Sequence, residues 1–198
     1  MSHLDTTEKT LEIPFLYRRN LLTPDQCVEI TQEFFENSLF HQRINTSAKK
    51  STDLGCLFSE RNKKIKTSKS VNYVWTALKE AFKEYRGMYR GLDETYTGWK
   101  VDDNFNFQFY QPGEGFADWH VENIPLRNRL LVWTIYLSST EDGGTEFEHF
   151  NHVEKCESGK VIIFPADWTF SHRSQISYTR HKFIATGWAS ITKQDMKR

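Results

Sequence analysis

The second half of the chain consists of short apolar segments of strand type separated by glycine turns. Alternation is clearest at Phe105, Phe107 and Phe109, whose neighbours are polar. Further strands are predicted at 130–137, 145–150, 161–164 and 182–188, with turns at 111–115 and 142–144. Many short strands at close spacing favour a barrel or a jelly roll.

Two helices are predicted before these strands. Thr23 and Pro24 suit the N-cap and first position of a helix that ends near Asn37. Apolar residues at helical spacing predict a second helix from about Val71 to Tyr89. Helices segregated from strands indicate an α+β fold. We expect one domain over 1–198, with a helical part at about 1–100 and a β core at about 101–192.

A basic segment without periodicity separates the two helices. Residues 43–69 contain eight Lys or Arg against two Asp or Glu. We interpret this segment as a long charged loop. If the loop folds over an active site as a lid, it favours an acidic partner.

Composition excludes several classes of protein. The chain has 26 Lys and Arg and 26 Asp and Glu, so it lacks the basic excess of a dedicated nucleic-acid binder. No apolar run is long enough to span a membrane, and the start does not resemble a signal peptide. Three scattered cysteines fit a reducing compartment. We therefore expect a cytoplasmic protein without membrane or specific nucleic-acid partners, and the oligomeric state stays open.

A histidine and a carboxylate two residues apart suggest metal chemistry. Residues i and i+2 of an extended segment share a face, so His120 and Glu122 can converge on one ion. A second histidine would complete the two-nitrogen, one-carboxylate set of non-haem Fe(II) oxygenases. About one such pair is expected by chance from composition, and the spacing recurs at His152 and Glu154. Context favours His120, which follows a glycine turn between apolar strands, whereas His152 lies in a polar stretch that we interpret as an exposed connection.

The segment from Tyr110 to Asn123 resembles the Tyr-x-x-Gly-x-x-Phe-x-x-His-x-Asp segment of 2-oxoglutarate- and Fe(II)-dependent oxygenases. The branch it resembles most is the prolyl 4-hydroxylase-like one. Further similar segments follow in the same order at 135–137, 143–147 and 158–165, so the resemblance covers about 101–190. A short segment at 49–54 is similar to one in phage-encoded members.

The resemblance implies a double-stranded β-helix (jelly roll) with the N-terminal helices packed on one sheet. It implies that His120, Glu122 and His172 hold Fe(II). The far carboxylate of 2-oxoglutarate would pair with Lys182, and Tyr110 would donate a hydrogen bond to this cosubstrate. A lysine in an apolar strand supports the pairing, because a buried carboxylate needs a cation.

Several neighbouring side chains leave alternatives open. Arg180 is the alternative cosubstrate anchor, although the spacing from His172 favours Lys182. A lysine that protects an edge strand is the other explanation of Lys182. We interpret Trp188 as core packing, and His181 should alternate to the opposite face from Lys182.

Glu122 departs from the family pattern, which usually has Asp at this position. Its side chain is longer by one methylene but offers the same charge and donor atoms. The departure should therefore affect metal affinity more than reaction type. Asp118 is the fallback carboxylate, although its position before His120 does not fit the family order.

The leading hypothesis is a 2-oxoglutarate- and O₂-dependent Fe(II) hydroxylase that releases succinate and CO₂, with ascorbate as an optional addition. Its substrate would be a peptidyl (prolyl) or other amino-acid-derived group, in a peptide, a protein or a small molecule. One alternative is a cupin-like metal-binding jelly roll that is not an oxygenase and does not need Lys182. Another is a non-catalytic binding protein.

Overall fold

The computed structural model describes residues 13–59, 68–124 and 128–192. The α-helices of these ranges are α1 (Pro24–Glu36), α2 (Ser68–Met88) and α3 (Gly91–Thr95). The β-strands are β1 (Tyr17–Asn20), β2 (Gln42–Asn45), β3 (Lys50–Leu57), β4 (Trp99–Tyr110), β5 (Arg129–Tyr136), β6 (Thr140–Phe147), β7 (His152–Cys156), β8 (Lys160–Pro165), β9 (His172–Ser174) and β10 (Lys182–Ile191). No helix within the described ranges is long and apolar enough to cross a bilayer. Residues 1–12, on which the signal-peptide prediction mainly rests, lie outside the described ranges.

The helical segments follow local signals in the sequence. The Thr23 hydroxyl accepts from the Gln26 backbone N–H, and the Gln26 side chain accepts from the Thr23 backbone N–H, which forms a capping box. One side of α1 buries Cys27, Ile30 and Phe34. Both predicted helices are confirmed, and α2 begins three residues earlier than the periodicity indicated.

Seven strands form the major sheet, in the order β1-β8-β5-β10-β4-β3-β2, with antiparallel pairing throughout. Helices α1 and α2 cover one face of this sheet. Their buried side chains share one apolar cluster with Phe105, Phe107, Trp133, Ile163 and Phe183 of the sheet. This arrangement confirms the expected packing of N-terminal helices on one sheet.

The minor sheet has three strands, in the order β7-β6-β9. A second apolar cluster joins it to the uncovered face of the major sheet, through Tyr136, Phe147, Ile162, Phe164 and Phe170. Two facing antiparallel sheets of this kind form the jelly roll, and the α+β expectation is confirmed. The space between the sheets holds the site described below.

The prediction of a loop over 43–69 is wrong for its first part. Strands β2 and β3 occupy 42–45 and 50–57, and β3 pairs with β4 inside the major sheet. β2 is an edge strand whose mostly exposed, polar side chains hide the alternation in the sequence. Residues 60–67 of the predicted loop lie outside the described ranges.

Two further assignments in the minor sheet are corrected. Residues 142–144 lie inside β6 and do not form a turn, and His152 begins strand β7 instead of an exposed connection. The register of β6 against β7 shifts between Thr140 and Thr145. A Cβ atom at Gly144 would lie 2.5 Å from the Glu154 carbonyl oxygen, so this glycine permits the close approach of β7.

Candidate metal and cosubstrate site

Three potential metal ligands meet at one end of the space between the sheets. One ligand atom each from His120, Glu122 and His172 lies within 4.8 Å of the others. The backbones of His120 and His172 form a reciprocal bridge, with both N–H···O distances at 3.0 Å. The Glu122 N–H donates to the Ala166 carbonyl, also at 3.0 Å. Residues far apart in the sequence are therefore joined by main-chain hydrogen bonds.

Both imidazoles are oriented by carbonyl oxygens. Nδ1 of His120 lies 2.9 Å from the Asp118 carbonyl, and Nδ1 of His172 lies 2.9 Å from the Phe170 carbonyl. A carbonyl only accepts, so Nδ1 donates and Nε2 keeps its lone pair for a metal. Burial, aided by the neighbouring His120 ring, lowers the pKa of His172 to about 3. The His172 ring is therefore neutral at physiological pH, as a metal ligand must be.

The Glu122 carboxylate lies between His120 and an arginine that the sequence analysis missed. Its Oε1 is 3.8 Å from His120 Nε2, and its Oε2 accepts a hydrogen bond from Arg129 Nη1. The Arg129 guanidinium lies 3.4 Å from the centre of the Trp188 ring. Arg129 is the first residue of β5, and in the sequence only its place before an apolar segment marks it. Trp188 packs against the second apolar cluster, as the sequence predicts, and also lines the cavity.

These donors line a cavity of about 330 Å³ that also contains Lys182 and Tyr110. Lys182 is buried, and its Nζ donates to Ser174 Oγ at 2.6 Å and to the Gly144 carbonyl at 3.2 Å. Among the described residues, no carboxylate forms a salt bridge with it. Burial lowers the pKa of Lys182 to about 8. A buried ammonium without a counterion is a fitting partner for an anionic ligand.

Tyr110 lies in the cavity with its hydroxyl already engaged. The Tyr110 hydroxyl donates to Gln108 Oε1 at 2.6 Å, and Gln108 Nε2 lies 3.4 Å from Asp53 Oδ2. Asp53 also accepts from Lys49 Nζ at 2.7 Å. Burial raises the pKa of Tyr110, so this hydroxyl stays a donor. Asp53 and Lys49 come from the segment that was predicted to be a loop.

The structure places Arg180, the alternative anchor, outside this cavity. Arg180 is exposed and lies beside Ser139 and Lys155 in a separate surface depression. β10 begins only at Lys182, so the alternation of strand side chains does not extend to Arg180. The exposed His181 stacks on Phe109, with ring centres 5.4 Å apart.

The other predicted carboxylates do not join the trio. Asp118 is exposed and contacts His120 through its carbonyl oxygen. Glu154 is buried and accepts from Lys160 at 2.7 Å, with His152 Nε2 3.3 Å away. This second His-x-Glu pair is therefore part of an ion-pair cluster outside the cavity.

The donor set fits a non-haem iron site. Two imidazole nitrogens and one carboxylate oxygen on one side of a shared space leave coordination positions open for a cosubstrate. The ammonium of Lys182 is positioned for the remote carboxylate of a dicarboxylic acid in the same cavity. The apolar side chains of Val132, Phe164 and Ile184 complete the cavity wall.

Comparisons with known proteins agree with this geometry. Residues 105–190 match the family model described as the 2OG-Fe(II) oxygenase superfamily. No curated protein sequence matches the chain.

Several solved structures share the fold. A Pseudomonas putida prolyl-4-hydroxylase is 13% identical, with a TM-score of 0.66 over 90% of this chain and 93% of that one. A viral collagen prolyl hydroxylase from Paramecium Bursaria Chlorella virus-1 is 15% identical, with a TM-score of 0.62 over 90% and 97%. A Trichoplax adhaerens prolyl hydroxylase, in complex with a hypoxia inducible factor peptide fragment, is 14% identical, with a TM-score of 0.67 over 92% and 86%. At these identities the likeness concerns the fold.

The family match covers both histidines, the carboxylate and the lysine. Residues 105–190 of the chain thus match the 2OG-Fe(II) oxygenase superfamily, and the protein is a dioxygenase that uses Fe(II), 2-oxoglutarate and O₂.

Proposed function

We propose that this protein hydroxylates a peptidyl substrate, with a prolyl residue as the first candidate. In this proposal His120, Glu122 and His172 hold Fe(II), and Lys182 binds the remote carboxylate of 2-oxoglutarate. The observation that carries it is the meeting of three ligand atoms within 4.8 Å in the cavity that also buries Lys182. The catalytic unit comprises 1–198.

When bound, Fe(II) would supply the activation of O₂, in which one oxygen atom converts 2-oxoglutarate to succinate and CO₂ and the other hydroxylates a substrate C–H bond. The side chains of this chain bind and orient the reactants. The neutral His172 ring keeps its Nε2 lone pair for the metal, and Lys182 fixes the far end of the cosubstrate. Val132, Phe164 and Ile184 limit access of water to the reacting atoms.

A peptide substrate is supported by an exposed aromatic ring that packs on Arg173, a residue of the cavity wall. Trp119 directly precedes His120, is 39% exposed, and carries the Arg173 guanidinium 4.4 Å from its ring centre. An exposed aromatic ring beside a polar wall suits an extended or proline-containing peptide. On the cavity wall, the side-chain amide of Asn106 offers groups that can bind peptide amides. Relatives named as prolyl hydroxylases share the fold, which makes prolyl peptides the first substrates to test.

The test is cosubstrate binding and turnover in matched lysine and arginine variants. Anaerobic protein with Fe(II) and 2-oxoglutarate should show a visible charge-transfer band, and air should release succinate. Lys182→Ala should abolish both signals, while Arg180→Ala, which removes a nearby cation outside the cavity, should keep them. Prolyl peptides should increase succinate release.

A cupin-like metal protein would give a different result. It would bind the metal with no band and no succinate, and Lys182→Ala would change nothing. That outcome would reject the hydroxylase assignment. Failure of every prolyl peptide, with turnover of another amino-acid-derived substrate, would reject the prolyl assignment alone.

A further inference from the structure

We propose that Arg129 is a positioning residue that matches this site to the longer carboxylate of Glu122. The inference rests on the proposed function, because it concerns how the carboxylate is presented to the metal. It also explains why this chain can use Glu where the family segment has Asp.

The first observation is that the two carboxylate oxygens of Glu122 have different contacts. Oε2 of Glu122 accepts from Arg129 Nη1, whereas Oε1 faces His120 Nε2 at 3.8 Å. With one oxygen held by a charge-assisted hydrogen bond, the other is left for a single bond to the metal. Arg129 thereby fixes which oxygen the metal meets.

The second observation is that Arg129 is itself held in place. Its side chain is only 14% exposed, and its guanidinium lies 3.4 Å from the centre of the Trp188 ring. Arg129 and Trp188 belong to the paired strands β5 and β10, and Arg129 is opposite Ser190 in their register. A planar guanidinium stacked on an aromatic ring keeps its direction, and a site supported by strands is more rigid than one on loops.

The third step follows from side-chain length. Glu has one more rotatable bond than Asp, so more conformational freedom is lost when its carboxylate is fixed on a metal. Arg129 restricts this freedom before the metal arrives. A shorter Asp side chain cannot span both the Arg129 contact and the metal position in the same way, so it gains less from the arginine.

The experiment is a double-mutant cycle read by Co(II), a spectroscopically visible substitute for Fe(II). Arg129→Met and Glu122→Asp are made singly and together, and the Co(II) dissociation constant and d–d spectrum are measured for each folded protein. Arg129→Met should weaken Co(II) binding about 10–100-fold in the parent, the usual range for loss of a group that orients a metal ligand. In the Glu122→Asp background, Arg129→Met should weaken Co(II) binding by less than about threefold, because the effect of the arginine depends on the length of the carboxylate side chain.

Two further variants control for folding and for general loss of an arginine. Arg86→Met removes another arginine that pairs with a carboxylate, Asp93, and lies 4.8 Å from the centre of the Trp99 ring. This pair lies outside the cavity, so Co(II) affinity should stay at the parent value. Arg129→Lys keeps the charge without the planar fork and should recover part of the affinity lost in Arg129→Met.

The outcomes separate this inference from the proposed function. If the parent binds Co(II) and folded Arg129→Met binds it within twofold with the same spectrum, Arg129 has no positioning role. Equal losses in the Glu122 parent and the Glu122→Asp background would also reject the coupling. If the parent binds no Co(II), both the inference and the proposed function fail.

Discussion

At the residue scale, the chemistry depends on charges that are buried in different states. His172 is neutral because burial disfavours its cation, which prepares its Nε2 lone pair for a metal. Lys182 has its pKa lowered to about 8 by burial, so it is still largely protonated near pH 7. The cavity thus combines an uncharged ligand with a charged anchor, and the two respond differently to pH.

The pH dependence of cosubstrate binding follows from Lys182. Its pKa lies below the usual value, so 2-oxoglutarate affinity should be level below pH 8 and fall above it, by up to about tenfold per pH unit. Tyr110 and Cys156 also face Lys182, and burial raises the pKa of both. Neither should therefore lose its proton before Lys182 does. Titration of 2-oxoglutarate into metal-loaded protein between pH 6.5 and 9.5 measures the effect.

The control for this titration is Lys182→Arg, whose guanidinium stays charged throughout this range. If the variant binds 2-oxoglutarate, its affinity should not fall above pH 8. A parent affinity that is constant from pH 7 to 9.5 would contradict Lys182 as the anchor.

At the element scale, strand β10 connects the helical layer with the cavity. Lys182, Ile184 and Trp188 line the cavity, whereas Phe183 and Ala185 belong to the cluster under the helices. Successive side chains of a β-strand point to opposite faces of the sheet, so β10 contributes both to the cavity and to the apolar cluster under the helices. Docking of α1 therefore supports the same strand that carries the cosubstrate anchor.

Loss of the main α1 contact should destabilise the whole sheet. Phe34 is 1% exposed, and its ring centre lies 4.8 Å from that of Phe183. Phe34→Ala should lower the free energy of unfolding by about 3–5 kcal/mol, because it leaves a cavity between α1 and β10. Urea unfolding measures the loss. Phe35→Ala is the matched control, because Phe35 is 49% exposed and its substitution should lower the free energy of unfolding far less. Equal losses in the two variants would show that α1 is not anchored through Phe34.

At the scale of the whole molecule, the sequence reveals local features better than relations across the sheets. The capping box at Thr23 and the alternation in β4 are local, so both helices and the main strands were predictable. Lys182 became a candidate through the order of the motifs and through its place in an apolar strand. Arg129 was missed because its contacts with Glu122 and Trp188 exist only after β5 and β10 pair, and the arginine has no spacing signal of its own.

The helical part and the jelly roll should unfold as one unit. Both share the apolar cluster that includes Phe34 and Phe183, so neither buries its apolar face without the other. Ligands that bind only the folded site should then stabilise both parts. Metal with 2-oxoglutarate at 100 times its dissociation constant adds about 2.7 kcal/mol, which raises Tm by about 5–11 °C for a domain of this size. Hydrogen exchange should show added protection in α2, far from the ligands, as well as in β10, whereas protection confined to the jelly roll would show that residues 1–198 do not form one cooperative domain.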